Sequence, residues 1–189
     1  MAGAYKFGNL NASGDEVPFQ YPNCWAVEKT TGPSRLVIAP AGRYIELMIR
    51  LTVAMREPFG LLYVLLVPRA GEGESGRYQS PAPVSSAELE TFLWRYQDLL
   101  EKDARQHLWI ISVGGSSLLV YDNHNVIYAY GPLAEFENVL RSNGLAQCET
   151  VSFPVPHVHK YNAEYDQQER DLMGHWKWIR FPLQDSDDL

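Results

Sequence analysis

The residues best suited to chemistry fall in two short segments of the chain. Residues 122–125, DNHN, gather a carboxylate, two amides and an imidazole, and residues 157–159, HVH, place two imidazoles two positions apart. Side chains two residues apart in a strand share a face, so His157 and His159 are expected to be able to reach one metal ion. A catalytic zinc site needs at least a third protein ligand and usually keeps an open position for water. The candidates for that third ligand are Asp122, His124 and His175.

Both segments also have a structural interpretation. A histidine at a hairpin tip is typical of a solvated turn, and Asp122 is placed to bond the turn backbone. Because histidine carries protons near neutral pH, Asp122 and His124 are also candidates for a catalytic acid–base pair. Pro154 and Pro156 restrict residues 157–159 to an edge strand or an extended loop, where surface histidine pairs are common. No Walker loop, HExxH, CxxC or EF-hand pattern names a reaction.

Tight reversals between apolar runs predict a series of antiparallel strands. Residues 107–113, 117–121 and 126–130 are strand-like, and Gly and Asn residues at 114–116 and 122–125 permit the two turns between them. Every second residue from 45 to 55 is apolar, which predicts a long strand that forms a hairpin with residues 60–67.

Two amphipathic segments predict helices that cover this sheet. Ser85 and Glu88 form a capping box that opens a helix to about Lys102. A second helix starts at Pro132 and ends at Asn143-Gly144. A short polar helix near residues 162–173 is the third. The prediction is therefore an α+β fold, in which two to three helices pack mainly on one face of a mostly antiparallel sheet.

The composition predicts three parts of the chain. Residues 1–34 are rich in Gly, Pro, Asn and Ser and are expected to form an irregular N-terminal arm, residues 35–183 a single α+β domain, and residues 184–189 an acidic, frayed tail. A length of 189 residues is enough for one well-buried core and short for two full domains.

Charge and cysteine content narrow the expected partners and location. The formal net charge of −7 disfavours nucleic acid and anionic membranes and favours a basic protein partner. No secretory signal or membrane-spanning stretch is evident, so we expect a soluble, cytoplasmic protein. Cys24 and Cys148 are then expected to be reduced, although the sequence leaves a single disulfide open.

Exposed tryptophans are the second kind of candidate site. Trp94 falls on the polar side of its predicted helix, and Trp176 and Trp178 alternate with basic residues near the C-terminus. Tryptophan is enriched at binding hot spots. The first hypothesis is therefore a non-enzymatic, partner-binding domain without a cofactor, and an acidic antagonist or immunity-type protein would fit this description. The alternative is a hydrolase that depends on zinc or another divalent transition metal, held by His157 and His159 near Asp122 and His124.

Overall fold

The computed structural model of the chain describes residues 3–69 and 72–187. Over these residues the strands are β1 (Phe7–Leu10), β2 (Glu16–Pro18), β3 (Cys24–Glu28), β4 (Arg35–Ala39), β5 (Phe59–Leu65), β6 (Gly76–Gln79), β7 (Gln106–Ser112), β8 (Leu118–Tyr121), β9 (Ile127–Tyr130), β10 (Ala146–Gln147), β11 (His157–His159) and β12 (Ile179–Phe181). The α-helices are α1 (Tyr44–Thr52), α2 (Ser86–Arg95), α3 (Gln97–Lys102), α4 (Leu133–Ser142) and α5 (Asp166–Met173). None of the helices in the described ranges is long and apolar enough to cross a membrane.

The strands form two sheets. The large sheet has nine strands in the order β10-β3-β4-β9-β8-β7-β5-β6-β12, and the small sheet has three in the order β11-β1-β2. The pairing of β10 with β3 is parallel, and the other strand pairs of the described residues are antiparallel. The predicted α+β class with a mostly antiparallel sheet is confirmed, with more helices than the two to three that we expected.

Two apolar cores lie on opposite faces of the large sheet, because successive side chains of a strand point to opposite faces. In β4, Leu36 and Ile38 face the main core, which also takes the buried side chains of the helices, whereas Val37 packs against a second core. That second core contains Phe7 and Tyr21 of the N-terminal arm together with Val126. Since Phe7 belongs to the small sheet and Val126 lies between β8 and β9, this second core joins the small sheet to the large sheet near the turn between β8 and β9.

The prediction of a strand over residues 45–55 was wrong, because most of this segment is helix α1. Its buried side chains, Tyr44, Ile45, Leu47, Met48 and Leu51, form a helical stripe at spacings of three and four residues. The alternation that we used ignored Tyr44 and Met48, which complete this stripe. Glu46 and Arg50, four residues apart, also form an ion pair at 2.7 Å along the helix surface.

The N-terminal arm is not irregular, since residues 1–34 contain β1, β2 and β3. These strands are only three to five residues long, and β1 and β3 each pair with one strand nearby in sequence and one far away, β11 and β10, so the local composition did not reveal them. The tail is not frayed where it is described. Asp187 is 1% exposed and accepts hydrogen bonds at 2.6–3.1 Å from Arg77 of β6. Residues 188 and 189 lie outside the described residues.

Candidate metal centre

The turn between β8 and β9 holds His124 in a fixed position. The Oδ1 atom of Asp122 accepts hydrogen bonds at 2.9 Å from the backbone N–H groups of His124 and Val126, as an Asx-turn does. Asn125 closes the turn in the left-handed region, with φ of 64°. The Tyr21 hydroxyl donates to the carbonyl oxygen of His124 at 3.0 Å. His124 is therefore buried, whereas a hairpin tip had suggested a solvated turn residue.

Strand β11 presents His157 and His159 on one face. It pairs antiparallel with β1, so that Phe7 lies opposite His159 and Asn9 lies opposite His157. Residues directly opposite one another in a sheet share a face, so the Phe7 ring lies beside both imidazoles. The centroid of this ring is 5.4 Å from the rings of His124 and His157 and 5.6 Å from that of His159.

The two segments meet, and three imidazoles converge. One potential ligand atom from each of His124, His157 and His159 can be chosen so that all three atoms lie within 4.8 Å of one another. The ring centroids are 4.7 Å apart for His124 and His159 and 5.2 Å apart for the other two pairs. We call these three residues the histidine cluster. It combines a residue of the turn between β8 and β9 of the large sheet with two residues of β11 in the small sheet.

Hydrogen bonds at Nδ1 orient two of the three rings. The Nδ1 atom of His124 lies 3.2 Å from Oδ2 of Asp122, and the Nδ1 atom of His157 lies 3.1 Å from the carbonyl oxygen of Pro154. A carbonyl or carboxylate oxygen accepts a hydrogen bond, so in the neutral form of each ring Nδ1 carries the proton and Nε2 has the free lone pair. Histidines that bind metal ions are held in this way, by an oxygen acceptor on the nitrogen that does not bind the metal.

The third ring, His159, has an imidazole nitrogen without a partner. Its Nε2 atom is buried and has no hydrogen bond. Burial and the neighbouring His124 and His157 lower the pKa of His159 to about 4, so the imidazole is neutral at neutral pH. A neutral imidazole is the form that binds metal ions. An unsatisfied buried nitrogen otherwise costs free energy, and a bound ion would remove this cost.

Asp122 is the negative charge next to the histidine cluster. Its burial alone would raise its pKa, but the hydrogen bond with His124, the nearby histidines and a backbone N–H together hold the pKa below its ordinary value. The carboxylate is therefore ionised. Lys6, also fully buried nearby, has a pKa lowered to about 7 by burial, against the opposing charge of Asp122.

An aromatic side chain, Phe153, packs against the histidine cluster. The Phe153 ring stacks on His124 with centroids 4.7 Å apart and meets His157 edge-on at 5.5 Å. Sequence reasoning missed Phe7, Tyr21 and Phe153, which carry no local signal of a site. Their placement depends on the pairing of β1 with β11 and on the path of residues 148–156.

The other sequence candidates lie elsewhere. His175 is not brought to the histidine cluster, since its Nδ1 atom is 3.1 Å from the Tyr96 hydroxyl and its ring meets Trp176 edge-on. Trp176 stacks on Phe92, and the Trp178 indole donates to the carbonyl oxygen of Leu172, so both are partly buried. Trp94 remains 44% exposed, and its indole N–H donates to Glu90.

No protein-family model, curated protein or solved structure matches this chain.

Proposed function

We propose that the histidine cluster binds a divalent transition metal ion, with zinc as the best fit, and that the metal-bound protein is a hydrolase. The observation that carries the proposal is the convergence of His124, His157 and His159 within 4.8 Å. Three imidazoles without thiolates suit zinc, copper, iron or nickel. Three protein ligands with one position left for water are typical of catalytic rather than structural zinc.

The ligand spacing is compatible with zinc after small side-chain movements. Zinc–nitrogen bonds of about 2.0–2.1 Å place tetrahedral ligands about 3.4 Å apart. Two ligand atoms separated by the full 4.8 Å would have to approach by about 1.4 Å. Rotation of the half-buried His157 and His159 side chains can supply this movement, while Asp122 and the turn backbone hold His124.

The residues around the cluster would each have a defined part in such a site. Asp122 orients His124 and strengthens it as a ligand, and the Pro154 carbonyl does the same for His157. Phe7 and Phe153 exclude water from one side of the rings. Bound zinc would lower the pKa of its water to about 7 and polarise a carbonyl or phosphoryl group, which supplies hydrolytic chemistry.

The test begins with metal binding by protein that carries no affinity tag. After chelation and dialysis, zinc titration by calorimetry should show one site per chain. His157→Ala and His159→Ala should each abolish this binding. His175→Ala is the matched control, because it removes another partly buried histidine outside the cluster and should leave the titration unchanged. Equal zinc binding by all of these variants would contradict the site.

The hydrolase part needs a separate measurement. Zinc-loaded protein should hydrolyse members of a panel of p-nitrophenyl esters and phosphodiesters faster than free zinc does, and His159→Ala should lose this activity. Stoichiometric zinc binding without any hydrolysis across the panel would retain the metal site and reject the hydrolase.

Protein binding is a second proposal, favoured by the exposure of Trp94. An indole that is 44% accessible beside the carboxylate of Glu90 offers an aromatic face and a negative charge to a basic side chain. Titration with lysine- and arginine-rich peptides should show binding that Trp94→Ala weakens. If the wild type and Trp94→Ala bind the peptides with identical affinities, the surface around Trp94 is not the binding site.

A further inference from the structure

Two free cysteines, distant in sequence, meet at one edge of the large sheet. Cys24 begins β3, and Cys148 directly follows β10, which pairs with β3 in parallel and places Ala146 beside Cys24. Their Sγ atoms are 2.8 Å apart although 124 positions separate the residues in sequence. The backbone N–H of Cys148 donates to the carbonyl oxygen of Trp25 at 2.8 Å, which fixes this approach.

The two thiols differ in access to solvent. Cys24 is buried, whereas Cys148 is partly exposed. Burial and the adjacent Cys148 raise the pKa of Cys24 to about 12, so Cys24 remains a protonated thiol at neutral pH. Because the thiolate is the nucleophile in exchange reactions, an oxidant from solvent would react first at Cys148.

We propose that Cys24 and Cys148 are an oxidation site that forms a reversible disulfide by exchange with a small-molecule disulfide such as glutathione disulfide. Cys148 loses its proton to solvent and attacks one sulfur of glutathione disulfide, which forms a mixed disulfide and releases one glutathione thiolate. Cys24 then loses its proton and attacks Sγ of Cys148, which releases the second glutathione. The two protein thiols give up two protons and two electrons, and glutathione disulfide is reduced to two glutathione molecules.

The bond would act on the segment that leads to the histidine cluster. It would link the end of β10 covalently to β3. Residues 149–156 begin at this point and lead into β11, and Phe153 in this segment stacks on His124. Closing a loop of 124 residues restricts the unfolded chain strongly. The oxidised protein should therefore unfold at a temperature higher by on the order of 5–15 °C than the reduced protein.

The experiment equilibrates the full chain in glutathione buffers of increasing oxidised fraction. Samples are quenched in acid, alkylated and weighed intact by mass spectrometry, and their unfolding temperatures are measured in parallel. The expected result is a single transition from two alkylated cysteines to none, without attached glutathione, accompanied by the rise in unfolding temperature. Transfer back to reduced glutathione should reverse both changes.

Single-cysteine variants provide the control. Cys148→Ser should keep one alkylatable thiol on the buried Cys24 and show no rise in unfolding temperature in oxidised buffer. Cys24→Ser should instead retain one glutathione on Cys148, because the thiol that would release it is missing, and should also lack the rise. If the wild-type protein in fully oxidised buffer still takes up two alkylating groups, or carries a glutathione on each cysteine, the proposed disulfide is wrong.

Discussion

Replacement of Asp122 by Asn tests the orientation of His124 with little change in shape. The Asn side chain retains an oxygen for the two backbone hydrogen bonds of the turn, but it places an NH₂ group, a donor, 3.2 Å from Nδ1 of His124. The imidazole must then accept at Nδ1 and carry its proton on Nε2. That tautomer has no lone pair on Nε2 for a metal ion, so we expect weaker zinc binding and an intact fold.

The size of the effect follows from the role of such carboxylates. Loss of the carboxylate that orients a histidine ligand typically lowers metal affinity by about 10- to 100-fold. At a zinc concentration of about 100 times the wild-type Kd, bound zinc stabilises the native state by about 2.7 kcal/mol. At the same concentration, the variant would gain only about 0.4–1.4 kcal/mol.

Thermal unfolding with and without zinc measures this difference. For a chain of this length, 1 kcal/mol shifts the unfolding temperature by about 2–4 °C, so zinc should raise that of the wild type by about 5–11 °C. The increase for Asp122→Asn should be about 1–6 °C. An increase equal to that of the wild type would refute the role of Asp122. Asp122→Ala is less informative, because it leaves two buried N–H groups unpaired at about 1–3 kcal/mol each and destabilises the turn itself.

Two stability predictions concern other parts of the chain. Asp187→Ala should lower the free energy of unfolding by about 3 kcal/mol at pH 7, because it leaves the guanidinium of Arg77 without its ion-pair partner. Burial opposes but does not outweigh the Arg77 bonds that lower the pKa of Asp187, so this contribution is full above about pH 4 and is lost as the pH falls through the lowered pKa. If the difference in urea-unfolding free energy between the wild type and Asp187→Ala is the same at pH 7 and at pH 3, this prediction is wrong. Trp94→Ala should cost under about 1 kcal/mol and Trp25→Ala about 3–5 kcal/mol, since Trp25 is fully buried; similar urea midpoints for the two variants would contradict this.

Local sequence signals predicted the parts of the candidate site that are built locally. The β8–β9 hairpin and the Asx-turn at Asp122 follow from turn chemistry within a few residues, and the shared face of His157 and His159 follows from strand alternation. The pairing of β1 with β11 joins residues about 150 positions apart, and no local pattern specifies it. For this reason the sequence offered Asp122, His124 and His175 as third ligands and could not choose among them.

The strand that we predicted over residues 45–55 was wrong for a different reason: a local pattern was present there, but it fitted both a strand and a helix. Apolar residues at alternate positions and apolar residues at helical spacing coincide there, because Tyr44 and Met48 fill the gaps of the helical pattern. When both periods fit, tertiary packing decides between them. The surrounding core accommodates one helical stripe on the large sheet, and the segment folds accordingly.

The division of the histidine cluster between two sheets has a consequence for local unfolding. A single ion held by His124 on one side and by His157 and His159 on the other would fasten the small sheet to the hairpin tip of the large sheet. The small sheet has three short strands, so its separation from the rest of the molecule should require less free energy than global unfolding. Amide hydrogens of β1 and β11 should then exchange with solvent faster in metal-free protein, while those of β5 and β7 in the middle of the large sheet keep their rates. Metal occupancy would thus set how often this end of the molecule opens.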